Sequence, residues 1–397
     1  MANTLALHGG RPVRPTMLPY GRQQISEGDI AAVVEVLRSP WLTTGPKVSD
    51  FERECAVRAG AAHGVAVSSG TAALHAAMRA LRIQPGDEVI VPAMTFAATA
   101  NSVLYEGGTP VFADVEADTL LIDPSSVAAK ITPRTRAVIA VDYAGQPADY
   151  DALRDCSESL GVALVADACH ALGARMNGRP AGSLARLTCF SFHPVKHITT
   201  AEGGMVTTDD GQLAERMRVF RNHGITTDHR QREAQGAFYY EMAELGFNYR
   251  LSDLQCALGL SQLERLPQFI ARRRQIASRY DEAFSALPGV RALRVRPGAE
   301  HAYHLYVVRL ELDALRVDRG EIFRALRSEN IGVNVHYIPV NMHPYYRQAL
   351  GTRPGLCPVA EDAYERVLSL PMFPAMSDVD VDDVIDAMTK VLGHYRK

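Results

Sequence analysis

Three short stretches carry residues whose types and spacing could do chemistry together. The first is SSGTAALHAAM, where an apolar run ends at Val67 and two serines, Gly70 and Thr71 lead straight into a helical pattern. The free N–H groups and positive dipole end of such a helix start favour a phosphate, and the Ser69 and Thr71 hydroxyls add donors. Plain N-capping explains the same residues equally well. The second stretch is VALVADACHALGA, in which Asp167 ends an apolar run and His170 follows three residues later. Open α/β sheets place their ligands at the carboxyl ends of their strands, and a carboxylate buried there is costly unless a cation meets it. A surface-loop or helix-capping aspartate is the competing interpretation, and a lone histidine is more often structural. The third stretch is SFHPVKHITTAEGGM, which sets Lys196 in a mostly uncharged segment expected to be largely buried.

A phosphate cradle, a buried carboxylate and a buried lysine are together the groups that pyridoxal 5′-phosphate requires. A desolvated lysine with a lowered pKa can form a Schiff base with its aldehyde. The carboxylate keeps the pyridine nitrogen protonated, so that the ring draws electrons. Ser191, five residues before the lysine, could add a phosphate hydrogen bond. Phe96, in VPAMTFAATAN, opens the loop after another strand and could cover one ring face, unless it is an ordinary core aromatic. Gly203-Gly204 is expected to let the backbone reverse tightly into the next strand. Glu202 reads as a loop-fixing acceptor, and for His193 and His197 both substrate contact and strand-end packing stay open.

These residues need an α/β scaffold, and the first half of the chain alternates accordingly. Ser26 can cap a helix whose Ile30, Val33, Val34 and Leu37 recur at helical spacing. Strands are expected at VAV (65–67), EVIVP (88–92), PVFADV, AVIAVDY and VALVADA (162–168), with helices between them. That alternation indicates βαβ units and a mostly parallel sheet. TCFSF (188–192) and GGMVTT (203–208) have no long helix between them and look like a hairpin-like addition. After LGFNYRLSD a long helix is expected from near Ser252, interrupted at Pro267. Beyond it, strands at YHLYVVRLEL and IGVNVHYI and helices at RGEIFRALRSE and VDDVIDAMTKVLGHY describe a smaller α+β unit. The expected division is a large domain over 1–258 and a small one over 259–397. No internal repeat is found.

The 397 residues exceed what one core usually organises. A composition 47% hydrophobic and 22% charged is globular, and the net charge of −3 suggests no nucleic-acid or membrane partner. The first twenty residues contain no apolar run suited to a signal peptide, and no segment reaches the length of a membrane-spanning helix. The 6 cysteines are scattered without metal-binding spacing, which points to reduced thiols in a cytoplasmic protein and to no metal.

With LTTGPKVSDFE, SSGTAALHAA, GDEVIVPAMTFAATANSV, ADACHALGA, SFHPVKHITTAEGGM and GFNYRLSDLQCALG, the chain resembles the DegT/DnrJ/StrS family of pyridoxal-phosphate sugar aminotransferases. The likeness runs from about residue 20 to the C-terminus. It implies the fold type I architecture, with a large domain built on a mostly parallel sheet and a smaller α+β domain. By the resemblance Lys196 is the Schiff-base lysine, Asp167 pairs the pyridinium and His170 sits beside the phenolic oxygen. Phe96 stacks on the ring, and Gly70, Thr71 and Ser191 bind the phosphate. Asn248, in GFNYRLSD, reaches the phosphate from the neighbouring subunit, which implies a homodimer with shared active sites. The sequence departs from the family at Ala201, where glycine is frequent, and at Cys169, where a small non-thiol residue is frequent.

SFHPVKHITT is similar to members that act in pseudaminic acid biosynthesis. This implies amination at C4 of a UDP-linked 4-keto-6-deoxy-hexose bearing a 2-acetamido group, with L-glutamate as the amino donor. Candidate substrate contacts are Thr43, Thr44 and Lys47 in LTTGPK, Arg250, and Tyr337 and Tyr345 in VHYIPVNMHPYYRQAL. The tyrosine-rich segment also reads as an ordinary domain interface. The alternatives are an aminotransferase for a UDP-4-keto-pentose or a dTDP-keto-sugar, a sugar dehydratase of the same fold, and a non-catalytic sugar-nucleotide-binding regulator. Lys196 argues against the dehydratase branch in which histidine replaces it, and the retained Lys196, Asp167 and His170 argue against the regulator.

Overall fold

Seven strands form the central sheet: β1 (His63–Val67), β2 (Glu88–Pro92), β3 (Thr109–Ala113), β4 (Thr135–Val141), β5 (Ala163–Asp167), β6 (Leu187–Ser191) and β7 (Gly204–Thr208). The computed structural model describes residues 4–227, 232–233 and 236–397. The strand order is β1-β7-β6-β5-β4-β2-β3. The run from β3 to β6 pairs parallel, and β7 is antiparallel to both of its neighbours. The expected β6–β7 pair therefore lies inside the sheet, between β1 and β5. Alternate residues feed two cores: Val89 and Val91 pack with one cluster and Ile90 with the other, all fully buried. A sheet covered on both faces requires such continuous apolar strands.

Strand direction sets the functional edge. The carboxyl ends of β1, β2, β4, β5 and β6 lie on one side, and β7 starts there with Gly204. A Cβ on Gly204 would stand 2.3 Å from the Ser69 carbonyl oxygen. Close backbone approach, rather than a reversed φ, makes glycine necessary at this position.

Helix α1 (Glu27–Leu37) is capped by Ser26 in a reciprocal box with Asp29. Its packing departs from the apolar stripe. Asp29 and Val36 are buried, while Ile30 and Leu37 are 48% and 57% exposed. The cause is polar: Asp29 accepts hydrogen bonds from Ser261 Oγ and Gln262 Nε2, each at 2.7 Å, and these turn the helix toward its partner. That partner is the helix Asp253–Ser285, which runs unbroken through Pro267. The expected interruption is absent because Leu263, Leu266 and Ile270 are packed into the core around the proline, offsetting its lost hydrogen bond. The second half of this helix, from Ile276 to Phe284, belongs to a different cluster. The core changes hands between Ile270 and Ile276, on the C-terminal side of residue 258.

This further cluster surrounds the antiparallel strands β8 (Val290–Ala292), β9 (Tyr306–Leu310) and β10 (Val367–Leu370) with the helices Arg319–Ser328 and Asp378–Tyr395. Leu5 and Leu18 of the N-terminal segment are buried in it. The buried Glu329 carboxylate clips that segment down, accepting from Ala6 N at 2.8 Å, Val13 N at 2.9 Å and Lys390 Nζ at 2.8 Å. The strand expected at 331–338 does not form. The segment makes only single bridges, Ile331 to Leu18 and Asn334 to Ser369, because its neighbours on the two sides each meet it at one point. No described helix is long and apolar enough to cross a membrane.

Candidate active site

A cavity of about 440 Å³ opens at the functional edge, and Lys196, Asp167, His170, Gly70, Thr71 and Ser191 all line it. The geometry follows from local sequence. Ser69 caps helix α2 (Gly70–Ala80) by accepting from Ala72 N at 3.0 Å. A Cβ on Gly70 would come within 2.9 Å of Ser191 Cβ and 3.3 Å of Cys169 Sγ. The helix start therefore abuts the end of β6 as closely as backbone allows. Phe96, after β2, is 59% exposed at the cavity. This is the exposure of a free ring face, not of a core aromatic.

Asp167, the last residue of β5, is buried. Its Oδ2 accepts from Thr99 Oγ1 at 2.7 Å and its Oδ1 from Cys169 N at 3.3 Å. Thr99 in turn pairs with Thr95 Oγ1 at 2.7 Å. Lys196 is half-buried at the cavity wall, and desolvation pulls its amine below the ordinary lysine pKa against the opposing pull of Cys169 and Asp167. Its Nζ stands 3.5 Å from Nε2 of His304. His170 is held well below the usual histidine pKa, first by burial and then by the Lys196, His336 and His197 charges. Its Nε2 meets Tyr337 OH at 3.0 Å, while Nδ1 is buried without a partner.

The structure separates the remaining candidates. Tyr337 lines the cavity, and its ring centroid is 6.0 Å from that of Phe96. Tyr345 is exposed outside the cavity and packs edge-on against Tyr346. Thr43 bridges Ser252, and Lys47 lies 3.7 Å from Glu35. The Gly-Pro turn beside them is held by Asp253, which accepts from Gly45 N and Lys47 N. Asn248 bridges Asn222, and Arg250 donates to Asn222 Oδ1 at 2.9 Å in a separate cleft of about 220 Å³. Thus Thr43, Lys47, Tyr345, Asn248 and Arg250 do not line the Lys196 cavity of their own chain.

His193 lines the cavity, whereas His197 is buried and meets the Ala302 carbonyl at 3.0 Å. The backbone carbonyl of Glu202, not its carboxylate, fixes the loop by accepting from Thr200 and Gln255. Sequence reasoning missed Thr99 and His304. The signal available for Thr99 was a polar residue in an otherwise small, apolar helix start; for His304 the segment HAYHLY offered none that separates it from packing.

A partly desolvated amine, a buried carboxylate, an orphaned imidazole nitrogen and a helix N-terminus form a set suited to an aromatic aldehyde bearing a phosphate. Fold and site together define a fold type I aminotransferase architecture. The chain belongs to the DegT/DnrJ/EryC1/StrS aminotransferase family, which it matches over residues 23–389. It is 45% identical over 381 residues to the spore coat polysaccharide biosynthesis protein SpsC of Bacillus subtilis (strain 168), covering 96% of this chain and 98% of that protein. Among solved structures it is similar to the PLP form of the putative sugar aminotransferase Spr1654 from Streptococcus pneumoniae, with a TM-score of 0.89, 33% identity and coverage of 95% and 99% of the two chains. Helicobacter pylori PseC, an aminotransferase involved in pseudoaminic acid biosynthesis, gives a TM-score of 0.89 and 31% identity, covering 96% of this chain and all of the other.

Proposed function

We propose that this protein is a pyridoxal-phosphate-dependent aminotransferase that aminates C4 of a UDP-linked 4-keto-6-deoxy-hexose bearing a 2-acetamido group, with L-glutamate as donor. The observation that carries the aminotransferase reading is the half-buried, partly desolvated Lys196 amine in the same cavity as Asp167 and the start of helix α2. Family membership and the likeness to sugar aminotransferases support a nucleotide keto-sugar as acceptor. The choice of a UDP-linked 4-keto sugar rests on the SFHPVKHITT likeness, and the similarity to PseC, an aminotransferase involved in pseudoaminic acid biosynthesis, is in keeping with it. Competing acceptors are a UDP-4-keto-pentose and a dTDP-keto-sugar.

Gly70, Thr71 and Ser191 would hold the cofactor's phosphate, Asp167 its ring nitrogen, His170 its phenolic oxygen and Phe96 one ring face. When bound, the cofactor supplies an aldehyde that takes up the amino group and a ring that withdraws electrons. Lys196 Nζ takes the proton from the donor's α-carbon, and in the second half-reaction delivers one at C4 of the sugar. Desolvation lowers the pKa of this amine, the direction that favours its neutral, proton-accepting form. Asp167 would keep the cofactor's ring nitrogen protonated, and its own carboxylate is held by Thr99.

The reading includes a homodimer. Phe238, Tyr239, Met242 and Leu245 are between 64% and 91% exposed in the segment leading to Asn248, and so dense an apolar strip calls for a covering surface. A second copy would bring Asn248 to the partner's phosphate site and Arg250 to a substrate anion, with Thr43, Lys47 and Tyr345 at the rim. Free cysteines suit a cytoplasmic setting. Reduction with borohydride followed by peptide mapping tests the lysine: a phosphopyridoxyl group on a lysine other than Lys196 overturns the assignment. Product analysis by NMR tests the acceptor, and a far higher kcat/KM for a UDP-4-keto-pentose or a dTDP-keto-sugar overturns that choice alone.

A further inference from the structure

The segment 301–304 arrives at the cavity from the C-terminal half of the chain, and all four of its carbonyls are gripped by side chains. Arg274 Nε donates to His301 O at 3.0 Å, and His197 Nε2 meets Ala302 O at 3.0 Å. Arg273 Nη1 donates to Tyr303 O at 3.0 Å and to His304 O at 3.1 Å, and also reaches Met372 O at 2.9 Å. Arg273 is 1% exposed, and its Nη1 serves the three backbone oxygens while its Nε is buried without a partner. On the other side Ala302 N donates to Gly145 O and Leu305 N to Ala144 O. Gly145 is left-handed (φ 108°), and a Cβ there would stand 2.9 Å from His304 N and 2.8 Å from His170 O. The approach is therefore built for closeness.

What this clamp delivers is the His304 ring. Nε2 faces Lys196 Nζ at 3.5 Å, the ring centroid is 4.3 Å from that of His170, and Nδ1 is buried without a partner. An aliphatic side chain would fill the space without leaving a buried polar atom unpaired. We propose that His304 is a positioning residue for the Lys196 amine, accepting a hydrogen bond from Nζ at Nε2 and holding its ring proton on Nδ1. Arg273 and His197 act through it by fixing its backbone. The proposal rests on the reading of Lys196 as the reacting amine. It adds that the released amine is received by an imidazole outside the Lys196, Asp167 and His170 set.

The groups facing the Lys196 amine are Asp167, Cys169, His170, His197, His304 and His336. Those facing His304 are Lys196, His170, His197 and Arg273. Burial and these charges keep His304 well below the ordinary histidine pKa, hence neutral and able to accept. A hydrogen bond accepted from Nζ favours the ammonium form, so its removal lowers the pKa of the lysine.

The test uses the full-length protein loaded with pyridoxamine 5′-phosphate, which cannot bond to the ε-amine. Trace labelling with acetic anhydride across pH, read by mass spectrometry on the Lys196 peptide, gives the midpoint at which the amine becomes neutral. His304→Phe should lower that midpoint by about one unit, the scale of a charge-assisted hydrogen bond. His304→Gln, which can again present an acceptor, should restore most of it. Where the phenyl variant fails to fold, His304→Asn, too short to reach Nζ, serves in its place with the same expected shift. An unchanged midpoint, or equal shifts in the Phe and Gln variants, overturns the proposal. Borohydride reduction of the pyridoxal-phosphate-loaded wild type separates the two levels: absence of label from Lys196 defeats the lysine reading, whereas label at Lys196 with an unmoved midpoint defeats His304 alone.

Discussion

Thr99 Oγ1, on the helix Ala97–Tyr105, donates to Oδ2 of Asp167 across 68 residues of sequence at 2.7 Å. Thr95 stands behind it at 2.7 Å, so the carboxylate ends a short chain of hydroxyls. Thr99→Val keeps the shape and removes the donor. Cofactor affinity, followed by the change in visible absorbance on titration, should fall by about ten- to a hundredfold, since a hydrogen bond to a charged group contributes about 1.5–3 kcal/mol. Thr99→Ser should retain most of the affinity. Equal affinity in the valine variant would show that Asp167 is held without the hydroxyl.

A second buried carboxylate gives a pH dependence of stability. Asp142 lies behind Asp167, and burial raises its pKa to about 7; Ala148 N and Tyr150 OH bind Oδ1, while Oδ2 has no partner. Its folded pKa lies above its unfolded value near 4, so between about pH 4 and pH 7 the folded state holds the extra proton. Stability is therefore lost as pH rises through that window and levels off above it. Asp142→Asn should flatten this slope and raise stability at pH 8, by an amount on the order of a few kcal/mol. Denaturant unfolding of both proteins at pH 5 and pH 8 measures it.

Ala201 occupies a left-handed backbone position, φ 66°. A non-glycine residue there is strained by about 1–2 kcal/mol, while glycine adds about 0.5–1 kcal/mol of unfolded-chain entropy. Ala201→Gly should thus leave stability unchanged or raise it by up to about 1 kcal/mol. A thermal unfolding midpoint clearly below that of the parent protein would contradict this balance.

The proposed homodimer with shared active sites predicts complementation. Lys196→Ala and Asn248→Asp homodimers should each be nearly inactive, the first by about a thousandfold or more, as expected on loss of a covalent and proton-transferring group. Mixed and allowed to exchange, they should form hybrids with one intact site and recover part of the activity. Turnover measured beside a demonstration of subunit exchange decides the matter, and exchange without recovery would exclude a site completed by Asn248 in trans.

Much of the architecture was legible because it is written in local patterns. Short, β-branched apolar runs such as EVIVP and AVIAV read as strands buried on both faces, and the small and polar residues after them mark where those strands end. Since parallel strands end on one edge, Gly70, Phe96, Asp167, His170, Ser191 and Lys196 had to converge. What tertiary structure alone decided involves partners far apart in the chain. The Asp29 pairing with Ser261 and Gln262 overrode the apolar stripe of helix α1, and core packing carried the long helix through Pro267. Single-point contacts to Leu18 and Ser369 kept 331–338 from becoming a strand. Thr99 meets Asp167 across 68 residues and His304 meets Lys196 across 108. A side chain's type states what it can bond to, but which group it meets is set by how distant segments pack. For that reason Lys196 and Asp167 could be picked out from the sequence as candidates, and the neighbours they meet, His304 and Thr99, could not.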